Sequence, residues 1–184
     1  MTRIIAGGAG GIRLRVPPKG TRPTTDRVRE ALFSALSSRI DFGGLRVLDL
    51  YAGSGALGLE SLSRGAAVAV FVESGARAVG VIKDNIQTVR LPGAEVIKGD
   101  VTATLGREPA HRFSLVFADP PYTVDDGAVA HMLTLLVRKQ WLAPDALVVI
   151  ERSSRSPLTT WPEDFEAITS RKYGETRIDI AQYQ

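Results

Sequence analysis

The hydrophobic positions change period along the chain, and each change marks an element. Val28, Ala31, Leu32, Ala35 and Leu36 recur at the i, i+3/i+4, i+7/i+8 spacing of one helix face. Thr24 or Thr25 is placed to cap that helix, and Asp41-Phe42-Gly43-Gly44 to stop it. Residues 45–50 then read as a mainly apolar strand, followed by a glycine loop and a helix that runs to Arg64 and stops at Gly65. Residues 67–72 are continuously apolar, as a parallel strand covered on both faces should be. A helix follows over 76–91, stopped by Pro92-Gly93. Strands are predicted at 94–97, 113–118 and 146–150, with a helix capped by Asp125 or Asp126 running to about residue 139. Residues 165–169 and 178–183 read as a closing hairpin that turns through Tyr173-Gly174-Glu175. Ahead of all this, residues 3–5 and 12–16 look like two short strands around glycines 7, 8, 10 and 11. Pro17-Pro18-Lys19-Gly20 then forbids regular structure.

Alternating strands and helices predict a doubly wound α/β fold. The expected architecture is a mostly parallel seven-stranded sheet with a C-terminal antiparallel hairpin. A small basic N-terminal β-hairpin extension is expected over 1–20, and the main domain over 21–184. Ligands on such a sheet bind at the carboxyl ends of its strands.

Composition removes several chemistries. The 184 residues include no cysteine, which excludes disulfides, zinc–thiolate clusters, cysteine-ligated iron–sulfur sites and thiol catalysis. His111 and His131 are the only histidines, too few for a site with three histidine ligands, and both read as structural or surface residues. The longest unbroken apolar run, 66–72, is far short of the ~20 residues of a membrane span. The apolar start is broken by four glycines and followed by Arg13-Leu14-Arg15, which argues against a signal peptide. A cytoplasmic location with no membrane partner is therefore expected. Charge is uneven: residues 1–46 carry a net +6 and residues 47–184 a net −3. Arg3, Arg13, Arg15 and Lys19 have no acidic residue among them, a leader suited to an anionic partner such as nucleic acid or simply to a solvated arm.

Two motifs carry chemistry. Gly53-Ser54-Gly55-Ala56-Leu57-Gly58 follows a strand and opens a helix, the context of a loop that lets a ligand approach the backbone. Its spacing is also that of a dinucleotide-binding loop. Asp49 lies inside the strand before it, where a carboxylate would repel a pyrophosphate and suit a cationic ligand. Glu73 ends the second strand, twenty residues after Gly53, and is placed to accept both hydroxyls of an adenosine ribose. Asp100 ends the third strand, where an acceptor takes an adenine amino group. Each carboxylate alone could be a helix cap or a surface charge. Together they describe a pocket for an adenosine with a positive tail, which fits S-adenosylmethionine better than NAD.

The second motif, Asp119-Pro120-Pro121-Tyr122, follows the strand at 113–118. Two prolines restrict the backbone. The Asp119 carboxylate and the Pro120 carbonyl are then fixed acceptors aimed at one amine, whose lone pair they draw out of the base ring. Tyr122 offers a face for stacking. The plainer alternative is a proline turn. This chemistry needs orientation and electrostatics, and no metal.

These motifs, residues 47–58 and Asp119-Pro120-Pro121-Tyr122, resemble those of class I, Rossmann-like amino-methyltransferases. Arg3-Ile4-Ile5-Ala6-Gly7 and the stretch Arg22-Pro23-Thr24-Thr25-Asp26-Arg27-Val28-Arg29-Glu30 are similar to the RsmD family, which methylates N2 of one guanine in bacterial 16S ribosomal RNA. The chain departs from that family at Gly8-Ala9-Gly10-Gly11, where members often place an aromatic and basic residues. The resemblance implies donor contacts for Asp49, Tyr51, Gly53, Gly55, Gly58, Glu73, Asp100 and Val101. It implies catalytic roles for Asp119, Pro120 and Tyr122. The small ribosomal subunit or its precursor is the implied partner. Arg22 and Arg27 would flank the donor's carboxylate or hold an RNA phosphate, beside Arg3, Arg13, Arg15 and Lys19 of the leader. The competing readings are a DNA adenine-N6 or other amino-methyltransferase, an NAD-dependent oxidoreductase and a non-enzymatic RNA-binding module. The oxidoreductase lacks a visible substrate domain, and the binding module leaves Asp119-Pro120-Pro121-Tyr122 unexplained.

Overall fold

Gly7 and Gly11, both left-handed at φ 84° and 88°, reverse the chain between β1 (Thr2–Arg3) and β2 (Arg13–Leu14), which pair antiparallel. The computed structural model describes residues 2–18 and 24–184. The segment around β1 and β2 is knit to the rest of the protein. Ile4 is fully buried and Leu14 is 5% exposed, both in a core shared with the main sheet. The helix α1 (Asp26–Ser37) begins at Thr25, whose Oγ1 accepts from the Val28 N–H at 3.2 Å. Its Phe33 packs against the Phe117 ring at 5.6 Å between centroids.

Next come β3 (Arg46–Leu50), α2 (Ala56–Ser63), β4 (Val68–Glu73), α3 (Ala76–Val89) and β5 (Ala94–Lys98). A five-residue helix, α4 (Val101–Leu105), precedes β6 (Phe113–Ala118), α5 (Asp126–Arg138) and β7 (Leu142–Ser153). β8 (Phe165–Tyr173) and β9 (Thr176–Tyr183) close the chain. The seven long strands form one sheet in the order β5-β4-β3-β6-β7-β9-β8. Pairings from β5 to β7 are parallel, and those of β9 are antiparallel. Successive side chains along a strand point to opposite faces. Val47, Phe71, Phe117 and Val149 therefore build one core with α1, α2 and the N-terminal segment. Leu48, Val70, Val116 and Val148 build the other with α4 and α5. Among the described residues no helix is long and apolar enough to cross a membrane.

The expected α/β architecture is the observed one; β8 and β9 are longer and β2 shorter than the strands read from the sequence, and α4 and β7 differ further. α4 is absent from the sequence reading because five residues are too few for a helical period to register. β7 begins at Leu142, before the apolar run at 146–150, because its pairing with β6 shifts register between Phe113 and Leu115. From β3 the chain winds outward to β5, then crosses back to β6 and winds the other way. The order thus reverses between β3 and β6, and the crevice at their carboxyl ends is the topological switch point.

Candidate active site

The chain leaves β3 through a loop that only unusual backbone angles can make. Tyr51 is left-handed at φ 55°, a costly state for a residue with a side chain, and Gly53 and Gly55 follow at φ 60° and 80°. Gly55 sits at the N-cap of α2 and has no side chain to satisfy the helix amides. Asp49 does so from the preceding strand: its Oδ2 accepts from the Gly58 N–H at 3.0 Å. Asp49 is 2% exposed. Burial, opposed in part by the Gly58 hydrogen bond and reinforced by Glu73, pushes its carboxyl up to about 8. The glycines have separate reasons. A Cβ on Gly53 would meet nothing closer than 4.0 Å, so its face is open to a ligand, whereas one on Gly58 would collide with the Phe71 ring.

Glu73 ends β4 and ties two loops together. Its Oε1 accepts from the Gly53 N–H at 2.9 Å and its Oε2 from the Gly75 N–H at 2.8 Å. An ionised carboxylate has about four acceptor sites, so hydroxyl groups can still be held. Asp100 caps α4 by accepting from the Ala103 N–H at 3.0 Å, and Val101 is 3% exposed in the core. Neither lines the main cleft.

β3, β4, β6 and β7 end side by side, so their last residues form a row. Leu50 is opposite both Val72 and Ala118, and Ala118 is opposite Ile150. One position further on, Glu73, Tyr51, Asp119 and Glu151 therefore stand next to one another. The Asp119 and Glu151 carboxyls lie side by side at the ends of β6 and β7, placed to share a proton. Burial, with Glu151 and Asp49 nearby, pushes Asp119 well above the ordinary carboxylate range. Burial also raises Glu151, against the hydrogen bonds it receives. The Thr24 hydroxyl donates to Glu151 Oε2 at 2.5 Å.

The cleft over this row has a volume of about 680 Å³, the size of an ordinary ligand pocket. One wall is the start of α1, with Thr25, Arg27 and Val28. A second is the Asp119-Pro120-Pro121-Tyr122 loop, with Pro120 buried and Tyr122 73% exposed. A third is the β8–β9 turn at Tyr173 and Gly174. Arg152 of β7 clamps the far end of the proline loop, donating to Val124 O at 3.1 Å and to Asp126 Oδ1 at 2.9 Å. A smaller cavity of about 60 Å³ shares Thr24, Tyr51 and Asp119 with the cleft and adds Asp49, Gly53 and Arg29.

Several of these groups were not anticipated. Glu151 ends an apolar run, and only the register of β6 with β7 brings it to Asp119. Asn85 of α3 donates from Nδ2 to Ser54 O at 2.8 Å and to Arg15 O at 3.0 Å, and its Oδ1 accepts from the Arg15 N–H at 2.8 Å. It thereby ties the glycine loop to the N-terminal segment. Glu60, fully buried, accepts from the Ile5 and Ala6 N–H groups at 2.7 and 3.1 Å. Buried Arg29 donates to Arg3 O at 2.8 Å and to Asp26. Its Nη1 lies 3.6 Å from Glu60 Oε1.

The expected RNA-facing cations are scattered. Arg3 lies 3.6 Å from Asp26, and Arg15 pairs with Asp84 at 2.6 Å. Arg13 is exposed, and Arg27 is exposed at the cleft. Lys19 and Arg22 lie outside the described residues. His111 is half-buried at the opposite end of β6, beside Arg112.

A glycine loop and a row of acids at the switch point of this sheet define a Rossmann-like methyltransferase. The family model described as "Conserved hypothetical protein 95" matches residues 2–182. The chain belongs to that family, the RsmD family. Ribosomal RNA small subunit methyltransferase D of Escherichia coli strain K12 is 35% identical over 181 residues, covering 98% of this chain and 89% of its own length. The protein of the same name from Haemophilus influenzae is 37% identical over 177 residues, covering 94% and 89%. The solved structure of yhhF from Escherichia coli superposes with a TM-score of 0.86 at 34% identity, covering 100% of this chain and 98% of its own.

Proposed function

We propose that the protein transfers a methyl group from S-adenosylmethionine to the exocyclic N2 amine of a guanine in small-subunit ribosomal RNA, in the cytoplasm. The observation that carries the reading is the Asp119-Pro120-Pro121-Tyr122 loop standing over the acid row. The names of the relatives at 35% and 37% identity support ribosomal RNA as the substrate.

The residues present fit the donor. Gly53 leaves open space above its backbone, and Glu73 keeps acceptor capacity for ribose hydroxyls. Asp49, Glu73 and Asp119 gather around the cleft, and a cationic group bound among them favours the ionised form of the buried Asp49 and Asp119. The holding set is Asp49, Tyr51, Gly53, Gly55, Gly58 and Glu73, with Asp100 and Val101 at the adenine end. Bound there, S-adenosylmethionine supplies an electrophilic methyl on a positive sulfur.

The chain's own groups do the remaining work. Tyr122 stacks on the target base. Asp119 and the Pro120 carbonyl accept the hydrogens of the amine, which turns its lone pair out of conjugation. Buried Pro120 and its neighbour Pro121 restrict the backbone that carries those acceptors, so little reorganisation is needed when the amine reacts. Arg27 and Arg13 offer exposed charge to RNA phosphates, with Arg3, Arg15, Lys19 and Arg22 as further candidates.

The test is transfer of a labelled methyl group to small-subunit particles from cells lacking the protein, followed by mapping of the modified base. Label on a guanine N2 supports the reading. Label on an adenine, or none on RNA, overturns it.

A further inference from the structure

Asp119 is assigned to the target amine, yet it does not stand alone. Ala118 and Ile150 are register partners on parallel β6 and β7, so Asp119 and Glu151 are the next pair along. Both line the cleft. Side by side and largely buried, the two carboxyls are placed to share one proton. Glu151 is held from its other side by the Thr24 hydroxyl at 2.5 Å, and Thr24 is the residue just before the cap of α1. Three elements distant in sequence thus meet on one carboxylate. If its purpose were only to fill space, an apolar residue would avoid the cost of desolvating a second acid beside the first.

We propose that Glu151 is a positioning residue for the transfer step: by sharing a proton with Asp119 and leaning on Thr24, it sets where the Asp119 carboxyl points and how much charge faces the target amine. Two carboxyls joined by one proton carry a single negative charge between them. The oxygen of Asp119 turned away from Glu151 is then the acceptor left for the amine. Thr24 Oγ1 donates to Glu151, which favours the ionised form there and leaves the shared proton on Asp119. This inference rests on the methyl-transfer reading for its catalytic consequence, but the pairing itself does not.

Other charged groups face the pair and enter its titration. Asp49 of β3, Glu73 of β4 and Tyr51 stand on the sheet side, with Arg27 and Arg29 from α1. Arg152 of β7, Tyr122 of the proline loop, and Tyr173 and Glu175 of the β8–β9 turn complete the surroundings. Their net effect is the same in the variants below, so differences report the pair.

The experiment compares the full-length protein with Glu151→Gln, Glu151→Asp and Glu151→Ala. Carboxyl carbon NMR titration of the protein without ligand is the first readout. In the wild type, the Asp119 and Glu151 signals should move together over two coupled steps. In Glu151→Gln, the Asp119 signal should titrate once, at lower pH, because a like charge has been removed and the Gln amide can donate to the ionised form. The second readout is single-turnover methyl transfer to ribosomal particles against pH, beside calorimetric donor affinity and thermal melts. Glu151→Ala should lose about tenfold to a hundredfold in rate, the scale of a misplaced reacting group. Its donor affinity should be unchanged, and Glu151→Asp should recover part of the rate. The acid limb of the rate profile should move to lower pH in Glu151→Gln. An unshifted Asp119 titration in Glu151→Gln overturns the pairing. Wild-type rate in Glu151→Ala, or a rate loss matched by equal losses in donor affinity and melting temperature, overturns the positioning role. Coupled NMR titration in a wild type that methylates no RNA would sink the methyl-transfer reading and leave the pair standing.

Discussion

A Cβ at position 58 would stand 2.4 Å from Cε1 of Phe71, so the first turn of α2 lies directly on the β4 ring. The same residue's N–H is the one that Asp49 holds. Close packing and capping therefore meet at Gly58, and the loop between them, Tyr51 to Gly55, inherits its shape from both. Gly58→Ala should lower stability by about 1–3 kcal/mol, the usual cost of overpacking a filled core. Donor affinity should fall with it, because α2 must lift from the sheet. Chemical denaturation and calorimetry on the one variant check both.

Asp49 gives a pH dependence of definite sign. Its carboxyl titrates at about 8 in the folded protein against an ordinary value of 3.8. The folded state holds that proton more tightly, so this contribution to stability is complete below pH 4 and is lost as pH rises towards 8. Asp49→Asn keeps an acceptor for the Gly58 N–H and has no proton to lose. Its stability relative to wild type should therefore climb steadily between pH 4 and 8, measured by denaturant melts at each pH. At the same time it should bind S-adenosylmethionine more weakly, having lost a carboxyl that can ionise when a cation binds beside it. A stability difference flat with pH would refute the assignment.

Removing residues 1–18 should lower the melting temperature and the donor affinity together. The sequence reads residues 1–20 as a basic extension outside the main domain, but Ile4 and Leu14 are core residues whose burial is worth about 3–6 kcal/mol. The Ile5 and Ala6 amides satisfy the buried Glu60 carboxylate, and Arg15 shares Asn85 with the glycine loop. Glu60→Ala should reproduce much of the loss, about 3–5 kcal/mol, because it leaves Arg29 short of a buried partner. RNA affinity measured at several salt concentrations in the same variants reports how many phosphates the arm neutralises.

Tyr122 separates substrate binding from folding. Its side chain is 73% exposed, so Tyr122→Ala should leave the melting temperature and donor affinity as they are. Loss of a stacking face should weaken the productive RNA complex by about 1–3 kcal/mol. Steady-state methylation at rising RNA concentration checks this; a parallel drop in melting temperature would mean the ring supports the loop instead.

The chain's local chemistry determined much of this on its own. Helical and strand periods, glycine at the turns and proline after β6 depend on near neighbours, so the α/β order and the two site motifs could be read directly. Thr25 and Asp125 caps were legible for the same reason. Asp49 and Glu73 were legible as carboxylates beside the glycine loop, but not their partners: each turns out to hold a backbone N–H of that loop. Only the tertiary structure could decide relationships set by register and by packing across the sheet. The pairing of Ala118 with Ile150 put Glu151 against Asp119, although 32 positions separate them in the chain. The burial of Ile4 and Leu14 in the core shared with the main sheet turned a basic leader into part of that core. Such contacts join residues far apart in sequence, and a carboxylate at the end of an apolar strand looks the same from its own neighbours whether it faces water or a second acid.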